Sequence, residues 1–288
     1  MGLQTDDTLI ACNTSFKTKE SDELQKAGFL AKPTQQLTAD NNLTFNGAQI
    51  KRLTNSLTVS QHDQAKKIEL LNANDVDKEE YVSQRARGAY ISSVCQPQVA
   101  FGLSYAAQTT EPTKDDAEKL NRCLKWQIEH KGKGLTFVKL TGQLRLITFT
   151  DSSFVNNKDQ SSQIGYVTVL ADDNNNCNII HWSSVKCKRV TRSVIASELY
   201  ALVHGFDTTR ALKDTLDKIT QTQIPITICI DSFSLYECLV KLGTTYEKRL
   251  MIDIMTIRQS YERREITEII WIAGDSRRTR LTYRQQHG

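Results

Sequence analysis

The stretch RVTRSVIASELYALVHGF, residues 189–206, decides how this chain is read. Val194, Ile195, Leu199, Leu202, Val203 and Phe206 recur at helical spacing and form an apolar stripe. Glu198 falls inside that stripe, between Ile195 and Leu202, and so faces the core side of the helix. An ionised carboxylate in such a place is costly unless it has a cation, a proton or several donors. Two more acids stand at strand-like edges: Asp151 behind LRLITFT and Asp231 behind ITICI. Carboxylates converging from strand, helix and strand point to a divalent-metal site.

The chain has 288 residues, 39% hydrophobic and 24% charged, enough for one large or two modest domains with an ordinary core. A net charge of +4 suits a polyanionic partner without requiring one. The cysteines at 12, 95, 123, 177, 187, 229 and 238 form no CxxC pair, which points to free thiols in a reducing compartment and away from zinc. No apolar run approaches the roughly 20 residues of a membrane span, so no membrane partner is expected. MGLQTDDTLI has two acids and no apolar h-region, unlike a signal peptide, and carries no myristoylation pattern.

Working outward, residues 2–11 read as a hairpin whose turn carries Asp6 and Asp7, or simply as a polar turn. A helix is expected over 21–30 with Ser21 as its cap, ended by Pro33. Residues 40–80 show only weak strand signals, in LTFNGAQI and LTVSQ, and an acidic turn-rich run at 72–80. Helices are expected over 81–95, with Gly88 weakening the first, over 103–108, and from Thr113 with a stripe of Ala117, Leu120, Leu124 and Ile128. A boundary falls after Gly142. Beyond it the order is β-β-β-α-β-α-α-β: strands at 144–150, 164–171 and 179–184, the Glu198 helix, a strand at 226–230, helices at 235–242 and 246–264, and a strand at 267–273. This is an α/β mixed sheet with helices packed on it.

In such sheets, sites gather at strand carboxyl ends, where Asp151 and Asp231 are expected. Hard oxygen ligands select Mg²⁺ or Mn²⁺, and two ions about 4 Å apart suit phosphodiester cleavage. Taken singly, Asp151 and Asp231 also fit a turn and an N-cap, and Glu198 an arginine partner. Lys186, Lys188, Arg189 and Arg192 form a basic run that either contacts phosphates or is a solvated face. Trp182 and Trp271 read as strand core rather than stacking platforms, and His181 and His204 as structural.

TDSSFVNNKDQSSQIGYV, HWSSVKCKRVTRSVIASELYAL, IDSFSLYECLVKLGTTYEKRLMIDI and ERREITEIIWIAG together resemble the ribonuclease H domain of copia-type retrotransposon polyproteins, especially fungal ones. GLQTDDTLIA resembles the reverse transcriptase palm segment with the paired polymerase aspartates. YVSQRARGAYISSVCQP and AEKLNRCLKWQIEHKGKGLTFVKL resemble the thumb and connection that follow. The resemblance implies a partial palm and thumb over 1–80, a helical connection over 81–142 and a ribonuclease H-like domain over 143–288 with a truncated basic C-terminus. It implies endonucleolytic hydrolysis of RNA in RNA–DNA hybrids with two Mg²⁺ (or Mn²⁺) ions, carried by Asp151, Glu198 and Asp231. The parent element implies a cytoplasmic, particle-borne or nuclear protein and the rest of a polyprotein as partner.

Two departures temper that expectation. Arg280 stands where the family's fourth carboxylate belongs, with Asp275 five residues early. The fingers and the palm's other metal-binding Asp are missing, so Asp6 and Asp7 make no polymerase site by themselves. Impaired nuclease activity is expected, as for a truncated or decaying element copy. The competing expectations are a catalytically dead nucleic-acid-binding remnant, and an N-terminal half, to about residue 140, that does not fold.

Overall fold

The structure, a computed structural model, describes residues 2–4, 7–29, 32–245 and 247–273. Strands β1 (Gly2–Gln4) and β2 (Asp7–Leu9) pair antiparallel, with Gln4 opposite Asp7. Helix α1 (Thr14–Lys26) starts seven residues before the expected Ser21, because Asn13 already accepts from the Phe16 amide at 2.9 Å. Nothing on α1 is buried.

The weak strand signals of residues 40–80 become a four-stranded antiparallel sheet of β3 (Leu43–Phe45), β4 (Ala48–Arg52), β5 (Ser56–Ser60) and, from far along the chain, β6 (Leu135–Val138). Between β5 and β6 run the short α2 (His62–Ala65), then α3 (Lys78–Val94), α4 (Ala100–Ala106) and α5 (Lys114–Glu129). Asp77 caps α3, accepting from the Glu80 amide at 2.8 Å, so the helix begins before Tyr81. Thr113 and Asp116 form a reciprocal capping box on α5. Tyr81, Ile91, Leu103, Leu120 and Leu124 form the buried core of this half. Gly88 has a packing reason: a Cβ there would meet Gln127 Oε1 at 2.7 Å and Leu103 Cδ2 at 3.0 Å.

The second sheet has the order β11-β10-β7-β8-β9. Strands β7 (Arg145–Ser153), β8 (Gln163–Ala171) and β9 (Cys177–Lys186) form an antiparallel meander, and β10 (Ile226–Ile230) runs parallel to both β7 and β11 (Glu268–Trp271). Every residue of β10 is buried, as an apolar run between two neighbours requires. Helix α6 (Val194–Thr220) is capped by Ser193 and runs well past Phe206 to Gln221, whose φ of 53° ends it. Ser232 caps α7 (Phe233–Val240), which starts two residues before the expected Leu235. Helix α8 (Met251–Glu262) follows a 3-10 turn at Lys248–Leu250, later than the expected start at Tyr246, which lies outside the described residues. No described helix is long and apolar enough to cross a membrane.

One strand boundary differs in a way that matters. β7 does not stop before Asp151: it continues to Ser153, with Asp151 opposite Gly165 and Ser153 opposite Gln163. Leu146, Thr148, Thr150 and Ser152 then share the face under α6. On that face Thr209 Oγ1 lies 2.6 Å from Thr148 Oγ1 and 3.0 Å from Thr168 Oγ1, a buried hydroxyl cluster between helix and sheet. Gly205 permits the close approach, since a Cβ there would lie 2.9 Å from Thr150 Cγ2 and 3.2 Å from Tyr166 Cβ.

The two halves meet through polar contacts and through Ile179 and Trp182, which pack against the helical core. Trp182 Nε1 donates to Ser92 O at 3.2 Å, Gln163 Nε2 to Ser104 Oγ at 3.1 Å, and Lys158 pairs with Asp116. The Asn178 amide bonds both backbone groups of Val138.

Candidate metal centre

Asp151 comes from β7, Glu198 from the second turn of α6, and Asp231 directly follows β10. The helix packs on the sheet at Gly205, and Glu198 lies two turns nearer its N-terminus, over the end of β7. One carboxylate oxygen from each acid lies within 4.8 Å of the others. Asp151 and Asp231 are exposed, whereas Glu198 is only 5% exposed.

Among the described residues Glu198 has no arginine partner. Its Oε1 accepts from Ser152 Oγ at 2.7 Å, and that hydroxyl also lies 2.8 Å from Ser197 Oγ. Burial, with a smaller contribution from Asp231 and Asp151, outweighs the Ser152 bond and pushes the Glu198 carboxyl up to about 7. Partial desolvation and then Asp231 raise Asp151 as well. Two raised carboxyls, Asp151 and Glu198, beside a third acid form a site a cation would relieve. An all-oxygen donor set with two exposed members fits a hard divalent ion with room for further oxygen ligands.

Ser152 was missed from the sequence, where it read as the first residue of a polar connection. The signal was the polar alternation Thr148, Thr150, Ser152, which carries the strand past Asp151. Trp271 also differs from expectation. It is 40% exposed because β11 is an edge strand, and its Nε1 donates to Asp231 O at 3.0 Å. Trp182 is partly buried against the helical core. His181 Nδ1 lies 3.0 Å from Tyr166 Oη, and His204 meets the same ring edge-on.

The basic run is divided. Lys186 pairs with Asp159, and Arg189 pairs with Asp253 at 3.1 Å while lying over the Tyr200 ring. Lys188 and Arg192 are exposed on the loop before α6, with Glu247 feeling the charge of Arg192. Asp7 starts β2 and is exposed. Asp6, Asp275 and Arg280 lie outside the described residues.

No family model and no curated relative matches this chain. Among solved structures it is similar to a foamy viral protease-reverse transcriptase in complex with RNA/DNA hybrid, with a TM-score of 0.52 at 14% identity, over 92% of this chain and 34% of that one. The fold is ribonuclease H-like. The chain thus spans about a third of that viral protein, and the likeness runs through both halves. The ribonuclease H1 LC11 from compost is matched at 17% identity over 47% of this chain and 89% of its own, with a TM-score of 0.36. The ribonuclease H1 of Halobacterium salinarum NRC-1 is matched at 14% identity over 45% and 86%, with a TM-score of 0.34. In the ribonuclease H-like half, the three carboxylates sit where β7, α6 and β10 come together.

Proposed function

We propose that the chain is a retroelement-derived, metal-dependent ribonuclease that hydrolyses the RNA strand of RNA–DNA hybrids. The observation that carries this reading is the convergence of Asp151, Glu198 and Asp231 within 4.8 Å on a ribonuclease H-like sheet. Their oxygens would hold Mg²⁺ or Mn²⁺, which when bound supplies a nucleophilic water and neutralises charge at the phosphate. Ser152 holds the Glu198 carboxylate in one orientation. Asp151 and Asp231, being exposed, face the strand to be cut. Lys188 and Arg192, exposed on the loop before α6, attract its phosphates.

The finer assignment to a copia-type element rests on the sequence resemblance. So does the division into palm and thumb (1–80), connection (81–142) and nuclease (143–288), although β6 of the second part completes the sheet of the first. A cytoplasmic or particle-borne location and a polyprotein context belong to the same proposal. Impaired turnover is part of it too, because Arg280 replaces a fourth acid in the resemblance.

The test is incubation of the purified chain with a labelled hybrid and Mg²⁺ or Mn²⁺. Slow cleavage of the RNA strand, abolished by Glu198→Gln, is expected. Cleavage as fast as an intact ribonuclease H would overturn the impairment. No cleavage, with salt-dependent hybrid affinity retained in Glu198→Gln, would favour a binding remnant.

A further inference from the structure

Beside the carboxylates stands an aromatic feature that the metal centre does not use. Phe233 opens α7 two residues after Asp231, and Trp271 ends β11. Their rings meet edge to face with centroids 4.9 Å apart, and both are exposed, at 43% and 40%. The indole N–H of Trp271 donates to the Asp231 carbonyl, which fixes the ring to the backbone of a candidate ligand. Lys241 lies 5.0 Å over the Phe233 ring, with Glu237 as its ion-pair partner at 3.2 Å. Two part-exposed rings beside a cation, tied to the backbone of a candidate ligand, make a surface on which a flat aromatic ligand can stack.

We propose that Phe233 and Trp271 form a stacking shelf for an unpaired nucleobase at the edge of the metal centre, with Lys241 near the adjoining phosphate. The proposal rests on the nucleic-acid reading above and adds a preference to it: a hybrid whose RNA strand continues as a single strand. Every base has a flat π face, so two open aromatic rings and a cation hold a strand without reading its sequence. A base inside a blunt duplex is already stacked and gains little from the shelf. The shelf continues directly from Asp231, so strand held at one reaches the other.

The experiment uses the full chain carrying Glu198→Gln, so that the RNA is not consumed, with Mg²⁺ present. Binding of a labelled blunt hybrid is compared with that of the same hybrid bearing a short RNA overhang. Tighter binding of the overhang form by about fivefold or more is expected, from the usual worth of one base stacked on an aromatic ring. Phe233→Ala and Trp271→Ala should erase that difference while leaving blunt-hybrid affinity within about twofold, and Phe233→Tyr, which keeps a ring, should restore it. Circular dichroism of each variant excludes unfolding as the cause. Equal binding of the two hybrids, or a preference that survives both alanine variants, overturns the shelf alone. Failure to bind either hybrid overturns the nucleic-acid reading and the shelf together.

Discussion

Ser152 Oγ on β7 donates to Glu198 Oε1 on α6 across 2.7 Å, so the strand that carries Asp151 also orients the buried acid. Ser152→Ala removes that donor and lets the carboxylate turn. A Mg²⁺ affinity lower by about tenfold, read by calorimetry, is expected from the usual cost of losing a partner to a metal ligand. Ser152→Thr should keep most of the affinity. Unchanged binding in the alanine variant would show that burial alone fixes Glu198.

Without metal, the Glu198 carboxyl sits at about 7 in the fold against 4.5 when unfolded. A raised value means that the fold disfavours the ionised form. Stability is therefore full below the unfolded pKa and lost as pH rises through the folded one. The loss is on the order of 3 kcal/mol across that window. In EDTA, the melting temperature should be lower near pH 8 than near pH 5 on this account. Mg²⁺ should cancel the fall, and Glu198→Gln should flatten it without metal.

Gly205 sets the distance between α6 and the sheet. Gly205→Val should destabilise the chain by about 1–3 kcal/mol through overpacking against Thr150 and Tyr166. The metal centre should weaken with it, because α6 carries Glu198. Urea denaturation and a Mg²⁺ titration of the same sample check both effects.

Asp116 is 3% exposed, yet its carboxyl is held below the usual range. Burial opposes this, and bonds from Lys158 and Thr113 outweigh it. A depressed acid stabilises at neutral pH, and that contribution disappears as pH falls through its folded value. Lys158→Met removes the contact to the loop after β7 and should cost about 1–3 kcal/mol, read by urea denaturation. Limited proteolysis should then cut sooner between residues 139 and 144, where the two halves join.

Within the basic run, Lys186 and Arg189 have ion-pair partners and Lys188 has none among the described residues. Lys188→Ala should reduce the slope of log affinity against log salt for a hybrid by about one unit. Lys186→Ala should reduce it less, because Asp159 already neutralises that charge.

The apolar periodicity of α6, the apolar run of β10 and the N-cap at Thr113 made most of the second half and α5 legible, because local pattern and tertiary environment agree there. Glu198 stood out for the opposite reason: a Glu inside an apolar stripe conflicts with its surroundings. The first sheet was not legible, since β5 takes β6 as neighbour across the helical segment and no local pattern reports that pairing. Ser152 was hidden because a serine after an aspartate usually reads as a turn. Trp271 was hidden because edge and central strands share one alternation.

The pairing of Ser56 with Val138 also orders events during synthesis. β5 can pair with β4 on one side but keeps its other edge unmet until β6 appears, some 75 residues later, roughly 4–15 s at ordinary elongation rates. A nascent chain stalled before residue 135 would present that bare edge to any neighbouring strand.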